Sequence, residues 1–360
     1  MKKIIYLINS FDTGGAEKAM VRLCSNLDKK KYKIECIALQ KGDGSLIKGL
    51  DKNKIEYSYF RISTKFNILT RLNEIKKLKN YLRKKREAIL ICSLFKATFI
   101  GRVLGKTVSM RKIINWQHNT HDLNRITKRF LLNLTNPISD FIIADSKTVY
   151  DEYRKKICLL DSKKLVVVPI AGIELRRYYK KKSTTKKTII CSVGRLTKEK
   201  GYNRIIPIAK EIVKKYPNAI FKIAGEGNQR HYLEKQIKEN NIQDKFILLG
   251  FVRDIPNFLA EADIYIQPSR WEGQCITVVE AMASYLPIVA NNVGGIRESM
   301  QNGKNGFLIP KNNPEEYLEK IEILIKDKKL REKLGKTSRK IAEDKYDIKL
   351  MVKRFERLLK

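Results

Sequence analysis

Two glutamates, Glu272 and Glu280, are separated by seven residues, the first in a Gly-containing loop and the second in what reads as a helix. Carboxylates so placed can converge on one ligand from two sides and accept hydrogen bonds from its hydroxyls, an arrangement that suits a nucleotide-sugar better than a metal. Gly273 and Gln274 precede a helix expected to begin near Ile276 or Thr277. The free N–H groups of such a first turn, at Cys275, Ile276 and Thr277, form an anion site that needs no cation. A capping acid and a solvated acid are the bland reading of the two glutamates, but Glu280 is embedded in the apolar run 277–282.

The loop 194–201, Gly-Arg-Leu-Thr-Lys-Glu-Lys-Gly, follows an apolar strand and places Arg195 and Lys200 on one connection with glycine at both ends. A fixed pair of cations there neutralises charge that builds on a departing diphosphate; ordinary surface charge is the alternative. At the other end of the chain, Gly14 and Gly15 lie between the strand 3–9 and the helix 16–27. A glycine pair lets backbone approach a phosphate at a helix start, and it also serves a tight turn on conformational grounds alone. Two of the three histidines, His118 and His121, fall at the end of the strand 112–116, where open α/β sheets bind ligands.

The elements that carry these residues alternate. Short, continuously apolar strands are expected at 32–39, 55–60, 88–93, 141–144 and 165–170, with a basic amphipathic helix over 67–85. A second series runs 188–193, 219–224, 246–249, 264–267, 287–290 and 306–309, with helices at 202–215, 229–240, 255–261, 314–325, 330–344 and 348–359. Strand–helix alternation throughout predicts parallel, doubly wound sheets. The basic stretch 178–187 contains almost nothing that could enter a core and reads as a linker. The domain expectation is therefore 1–177 with the helix at about 345–360, the linker 178–187, and 188–344.

A chain of 360 residues with 43% apolar composition can bury two cores. Its 75 Lys and Arg against 38 Asp and Glu give a net charge of +37, which favours anionic partners unless it reflects background composition. No nucleic-acid recognition signature accompanies it. The lysine face of helix 67–85 could lie on an anionic bilayer or simply be solvated. The six cysteines are scattered singly, with no CxxC pair, and read as reduced, mostly buried and cytosolic. No apolar run is long enough to span a membrane, since Lys96 and Arg102 interrupt 88–105.

Glu272-Gly273 followed by Glu280-Ala281-Met282-Ala283, with Ala262-Asp263-Ile264 and Pro268-Ser269 before it, resembles the double-glutamate motif of the retaining glycosyltransferases of family 4. Gly225-Glu226-Gly227, Leu249-Gly250-Phe251, Gly294-Gly295 and the N-terminal Gly14-Gly15-Ala16-Glu17 fall in that family's order. The resemblance implies an α/β GT-B fold: two Rossmann-like domains facing across a cleft, the last helix crossing back to the first domain. It implies that Glu280 holds the ribose and that Arg195 and Lys200 hold the diphosphate. Glu272, with the backbone of Cys275 and Ile276, would hold the donor sugar, and Phe251, Val252 and Arg253 would lie near the base. His118 would lie near the transferred sugar and acceptor.

The implied activity is retaining transfer of a hexose or N-acetylhexosamine from a nucleotide-diphosphate sugar, UDP-sugar foremost. The acceptor would be a hydroxyl of a lipid-linked or growing surface polysaccharide, such as capsule or O-antigen. No metal or other cofactor is required, and the setting would be cytoplasmic, with peripheral contact at the inner membrane face. Gln274 stands where many members carry Phe, and Pro169-Ile170-Ala171 replaces their Pro-Asn-Gly turn. A catalytically silent transferase-like partner subunit is the alternative, followed by a nucleotide-sugar epimerase.

Overall fold

The structure is a computed structural model that describes residues 1–360 apart from 13, 64–65, 119, 182–185 and 311–312. The chain divides into two compact units, Met1–Gly172 with Ile348–Lys360, and Ile173–Asp347. Each is a wholly parallel sheet covered by helices, as the alternation predicts.

The first sheet is built from β1 (Lys2–Ser10), β2 (Tyr32–Gln40), β3 (Glu56–Tyr59), β4 (Ile89–Ser93), β5 (Lys112–Gln117), β6 (Phe141–Ala144) and β7 (Leu165–Val167), in the order β3-β2-β1-β4-β5-β6-β7. β1 is apolar on both faces, with Ile4, Ile5, Leu7 and Ile8 all buried, as a central parallel strand must be. β7 stops earlier than the apolar run 165–170 suggests: Val168 still donates its N–H to Ala144 O, 3.0 Å, but Pro169 has no N–H to continue the ladder. The helix Ile348–Leu358 buries Ile348, Met351 and Phe355 at helical spacing and packs on the helix Gly15–Asn26. Phe355 lies 5.3 Å from the Trp116 ring. Lys2 and Lys112 donate to Leu359 O and Leu358 O, 2.9 and 3.2 Å, satisfying carbonyls at that helix's end.

The helix Phe95–Thr107 is absent from the sequence expectation because Lys96 and Arg102 interrupt its apolar run. Arg102 is in fact fully buried, donating to Ser139 Oγ at 2.8 Å and Asn136 Oδ1 at 3.2 Å. Neutral acceptors on the turn after residue 135 take hydrogen bonds from the guanidinium and so offset part of the cost of burying its charge.

The second sheet comprises β8 (Thr188–Val193), β9 (Ala219–Ala224), β10 (Phe246–Gly250), β11 (Ile264–Gln267), β12 (Ile288–Asn291) and β13 (Gly306–Ile309), in the order β10-β9-β8-β11-β12-β13. The division between units falls at Gly172 and Ile173, ahead of the stretch expected to link them. Tyr178 is buried and the Lys181 N–H bonds Ala260 O at 3.0 Å, so the start of that stretch belongs to the second unit. The buried Tyr178 ring and the Lys180 stem let a basic segment pack, the Lys180 ammonium donating to Ala262 O. Residues 182–185 of the stretch lie outside the described residues. Five of the six cysteines are buried and Cys158 is exposed. No helix among the described residues is long and apolar enough to cross a membrane.

Candidate functional site

In a doubly wound sheet the strand order reverses at one point, and the two loops that leave the carboxyl ends there diverge to form a crevice. In the second unit that point lies between β8 and β11, so the loops concerned are 194–201 and 268–275. These carry Lys200 and Glu272. The structure brings the two side chains into direct contact, Lys200 Nζ donating to Glu272 Oε1 at 2.5 Å, with both largely withdrawn from solvent. Spacing in the sequence assigned them to different ends of a ligand and did not foresee the pair.

Glu272 is held from below by a buried polar column. Tyr265 OH donates to Gln267 Oε1 at 2.8 Å, Gln267 Nε2 to Ser269 Oγ at 2.8 Å, and Ser269 Oγ to Glu272 Oε1 at 2.7 Å. These residues were missed, although a signal was present: Tyr265, Gln267 and Ser269 alternate with apolar or ring residues, placing three polar atoms on one face of a core strand. A polar column inside a core is tolerated only when satisfied, and its last acceptor is the carboxylate that faces Lys200. Burial pulls the Lys200 ammonium towards its neutral form, but the adjacent Glu272 charge outweighs this and leaves its pKa above the ordinary lysine value. Lys200 is therefore a permanent cation with a buried carboxylate fixing its position.

The loops are clamped by backbone. Arg270 N–H bonds Glu199 O at 2.8 Å, joining the loops after β8 and β11. Asn291 Nδ2, at the end of β12, donates to Pro268 O and Ser269 O at 2.9 and 3.0 Å, and Gly295 N–H bonds Gly273 O at 2.9 Å. Gly294 has φ +49°, and a Cβ there would lie 1.9 Å from Glu272 O. Only glycine allows the two loops to touch.

The helix expected near Ile276 runs Ile276–Ala283, with Cys275 at its N-cap and no side chain capping it. Its first N–H groups thus lack an intrahelical acceptor. Glu280 is buried in this helix, which excludes a solvated role. Gln274 and Cys275 are buried, Gly273, Ile276 and Thr277 half-buried. Burial, with the Glu272 charge, pushes the Cys275 thiol up to about 12, so it stays protonated and unreactive.

Arg195 differs from its loop partner: it is exposed, its guanidinium 3.5 Å from Glu199, and the loop fixes only Lys200 rigidly. Phe251 and Arg253 are exposed and Val252 half-buried, all just beyond the edge strand β10.

In the first unit the switch point lies between β1 and β4. Gly14 is the N-cap of the helix Gly15–Asn26, directly after the β1 loop, whose residue 13 lies outside the described residues. His118 follows β5 and is buried, its Nε2 3.1 Å from Ser93 Oγ, which in turn contacts Tyr6 OH at 2.5 Å. Its Nδ1 has no partner among the described residues. Asn119 lies outside the described residues, and the exposed His121 opens the short helix His121–Asn124, which buries Asp122 and Leu123.

Burial lowers the His118 pKa to about 3 from an ordinary 6.5. The imidazole is therefore neutral at physiological pH and able to hydrogen bond through either nitrogen. Because the unfolded chain binds this proton more readily, the stabilisation is complete above pH 6.5 and is lost as pH falls towards 3. The expected loss is about 1.4 kcal/mol per pH unit in that window. Denaturation midpoints compared between pH 7 and pH 4 for wild type and His118→Gln should show a smaller acid loss in the variant.

Residues 176–341 match the family model described as Glycosyl transferases group 1. Over its full length the chain is 26% identical to an uncharacterized glycosyltransferase of Haemophilus influenzae, covering 100% of both chains. It is 24% identical, across 88% of this chain and 86% of the relative, to the UDP-Gal:alpha-D-GlcNAc-diphosphoundecaprenol alpha-1,3-galactosyltransferase of Escherichia coli. Among solved structures, HepE of Anabaena in complex with UDP-glucose superposes with a TM-score of 0.86 at 20% identity, covering 100% of this chain and 99% of that one. The shared architecture is two Rossmann-like parallel-sheet domains of the GT-B type.

Proposed function

We infer from the match of residues 176–341 to the glycosyl transferases group 1 model that the chain moves a hexose or N-acetylhexosamine from a nucleoside-diphosphate sugar, UDP-sugar foremost, to a hydroxyl of a growing or lipid-linked surface glycan. The observation that carries the donor side is the Lys200–Glu272 pair at the switch point, beside the uncapped start of helix Ile276–Ala283. A cation fixed by a buried carboxylate and a set of free N–H groups suit the two phosphates of a nucleoside diphosphate. In this reading Glu280, buried one turn further in, accepts the ribose hydroxyls. The E. coli relative acts on a UDP-sugar and a diphosphoundecaprenol-linked acceptor, which supports the same substrate classes here.

In the reading we favour, transfer retains configuration and requires no metal. The bond from the anomeric carbon to the diphosphate oxygen breaks with its electron pair on that oxygen, and Lys200, the helix start and Arg195 offset the new charge. The acceptor oxygen bonds the same face of the sugar, and its proton passes to the departing phosphate. Glu272, already engaged by Lys200 and Ser269, positions the sugar and does not serve as a base. Taken by itself, the first unit would contribute Gly14 and Gly15 as a phosphate-side turn and neutral His118 as a hydrogen-bond partner for a sugar hydroxyl. A panel of UDP-, GDP- and ADP-sugars with membrane extract, run in chelator, should give a glycosylated lipid-soluble product from one donor with its anomeric configuration kept. Inverted product, or turnover restored only by added divalent metal, would contradict this reading, and donors bound by none of the panel would favour a silent partner subunit.

A further inference from the structure

Two helices of the first unit carry apolar side chains that the unit itself leaves uncovered. The helix Ile68–Lys84 turns Leu78 and Leu82 into the core, with Ile75 packed beside them. Its first turns instead present Ile68, Leu69 and Leu72, which are 63%, 77% and 59% exposed. From Leu69 and Leu72, steps of four and three residues lead to Lys76, Lys79 and Arg83, so one stripe runs from apolar to cationic along the helix. Among the described residues none of these three cations is ion-paired, whereas Lys77, off the stripe, is paired with Glu74 at 2.8 Å.

The helix Ile126–Thr135 has a second stripe, Ile126, Phe130 and Leu134, at steps of four residues and 75%, 66% and 62% exposed. Between the two lies the helix Phe95–Thr107, packed against both and exposing Lys96, Val103 and Lys106. The stripes therefore belong to one helical layer. Six large apolar side chains, each more than half exposed in a single layer, exceed what scattered surface residues account for. The three helices hold one acid, Glu74, which Lys77 neutralises. A second copy of a chain with net charge +37 would bring the same cations to the contact and repel. Apolar side chains flanked by unpaired cations fit an anionic lipid surface, where the chains enter the acyl boundary and the lysines meet headgroup phosphates.

We propose that this layer docks the first unit on an anionic bilayer through Leu69, Leu72, Ile126 and Phe130, with Lys76, Lys79 and Arg83 on the headgroups. The proposal goes beyond the transfer reading and holds whether or not the acceptor is lipid-linked. Flotation of the full chain with phosphatidylcholine vesicles, with and without phosphatidylglycerol, tests it. The wild type is expected on the anionic vesicles alone. Leu69→Ser with Leu72→Ser, Ile126→Ser with Phe130→Ser, and Lys76→Glu with Lys79→Glu should each weaken binding at least about tenfold. Nucleotide binding by the same variants, which lie outside the transfer site, reports that they are folded and reads the transfer chemistry separately. Vesicle binding that survives all three double substitutions overturns the proposal. So does equal binding to both vesicle types, or a wild type that stays off vesicles and forms a dimer that the Leu69 and Leu72 substitutions dissolve.

Discussion

Replacing Lys200 by alanine should lower transfer turnover by about 10²–10³-fold, the range found when one preorganised charge-stabilising group is removed from a reaction centre. Two effects add. On the proposed mechanism the departing diphosphate would lose the one cation that the loop 194–201 holds rigidly, since Arg195 is exposed. In addition, Glu272 is left as a buried carboxylate with Ser269 as its remaining hydrogen-bonded side-chain partner. Breaking a buried pair from one side costs about 3–5 kcal/mol of stability, so turnover must be compared with a thermal midpoint for the same sample. Glu272→Gln breaks the pair from the other side: it keeps the shape but removes the charge that offsets burial of the Lys200 ammonium, and should likewise reduce turnover and lower the midpoint. A Lys200→Ala enzyme that is folded and turns over at the wild-type rate would remove the pair from the mechanism.

Gly294→Ala is the second large effect expected. The residue has φ +49°, where a side chain is strained, and its Cβ would sit 1.9 Å from Glu272 O. The obstacle is backbone and cannot rotate away, so the loop carrying Glu272 must move. A cost of about 2–4 kcal/mol combines the left-handed strain with overpacking. Turnover should fall at least tenfold because a displacement of about 1 Å in a positioning group is enough for a larger loss. Gly303→Ala is the control, for it too has positive φ (+74°) but nothing within 4 Å of its Cβ. Strain without collision should therefore cost stability and spare turnover.

Local signals served the reading of the second unit well. The strands expected at 188–193, 219–224, 264–267 and 306–309 are found with those bounds, and the helix bearing Glu280 begins at Ile276. Each is a short β-branched run, or a helix following glycine, so pattern and tertiary demand agree. What was not legible depended on contacts distant in sequence. Lys200 and Glu272 are 72 positions apart, and no spacing rule announces that a lysine in one loop will meet a glutamate in another.

The helix Phe95–Thr107 was hidden for a related reason. Lys96, Gly101, Arg102 and Gly105 make its sequence look interrupted. Yet Gly101 sits so close to β4 that a Cβ would reach Cys92 Sγ at 2.3 Å, and Arg102 is satisfied by Ser139 and Asn136, more than thirty positions downstream. The unit boundary likewise moved from the basic stretch to Gly172 because lysine stems and Tyr178 pack on the second unit. Composition shows which groups prefer water but not which have been given an alternative to it.

Calorimetric titration of UDP, GDP and ADP, each beside its parent nucleoside, into the wild type and Lys200→Ala tests the central claim most directly. A diphosphate seat at Lys200 and the helix start predicts that one nucleoside diphosphate binds at least about a hundredfold more tightly than its nucleoside, the equivalent of about one to two charge-assisted hydrogen bonds. It predicts further that most of this difference disappears in Lys200→Ala. Equal affinity of the variant and the wild type for that diphosphate, or no preference for the diphosphate over the nucleoside in the wild type, would contradict it.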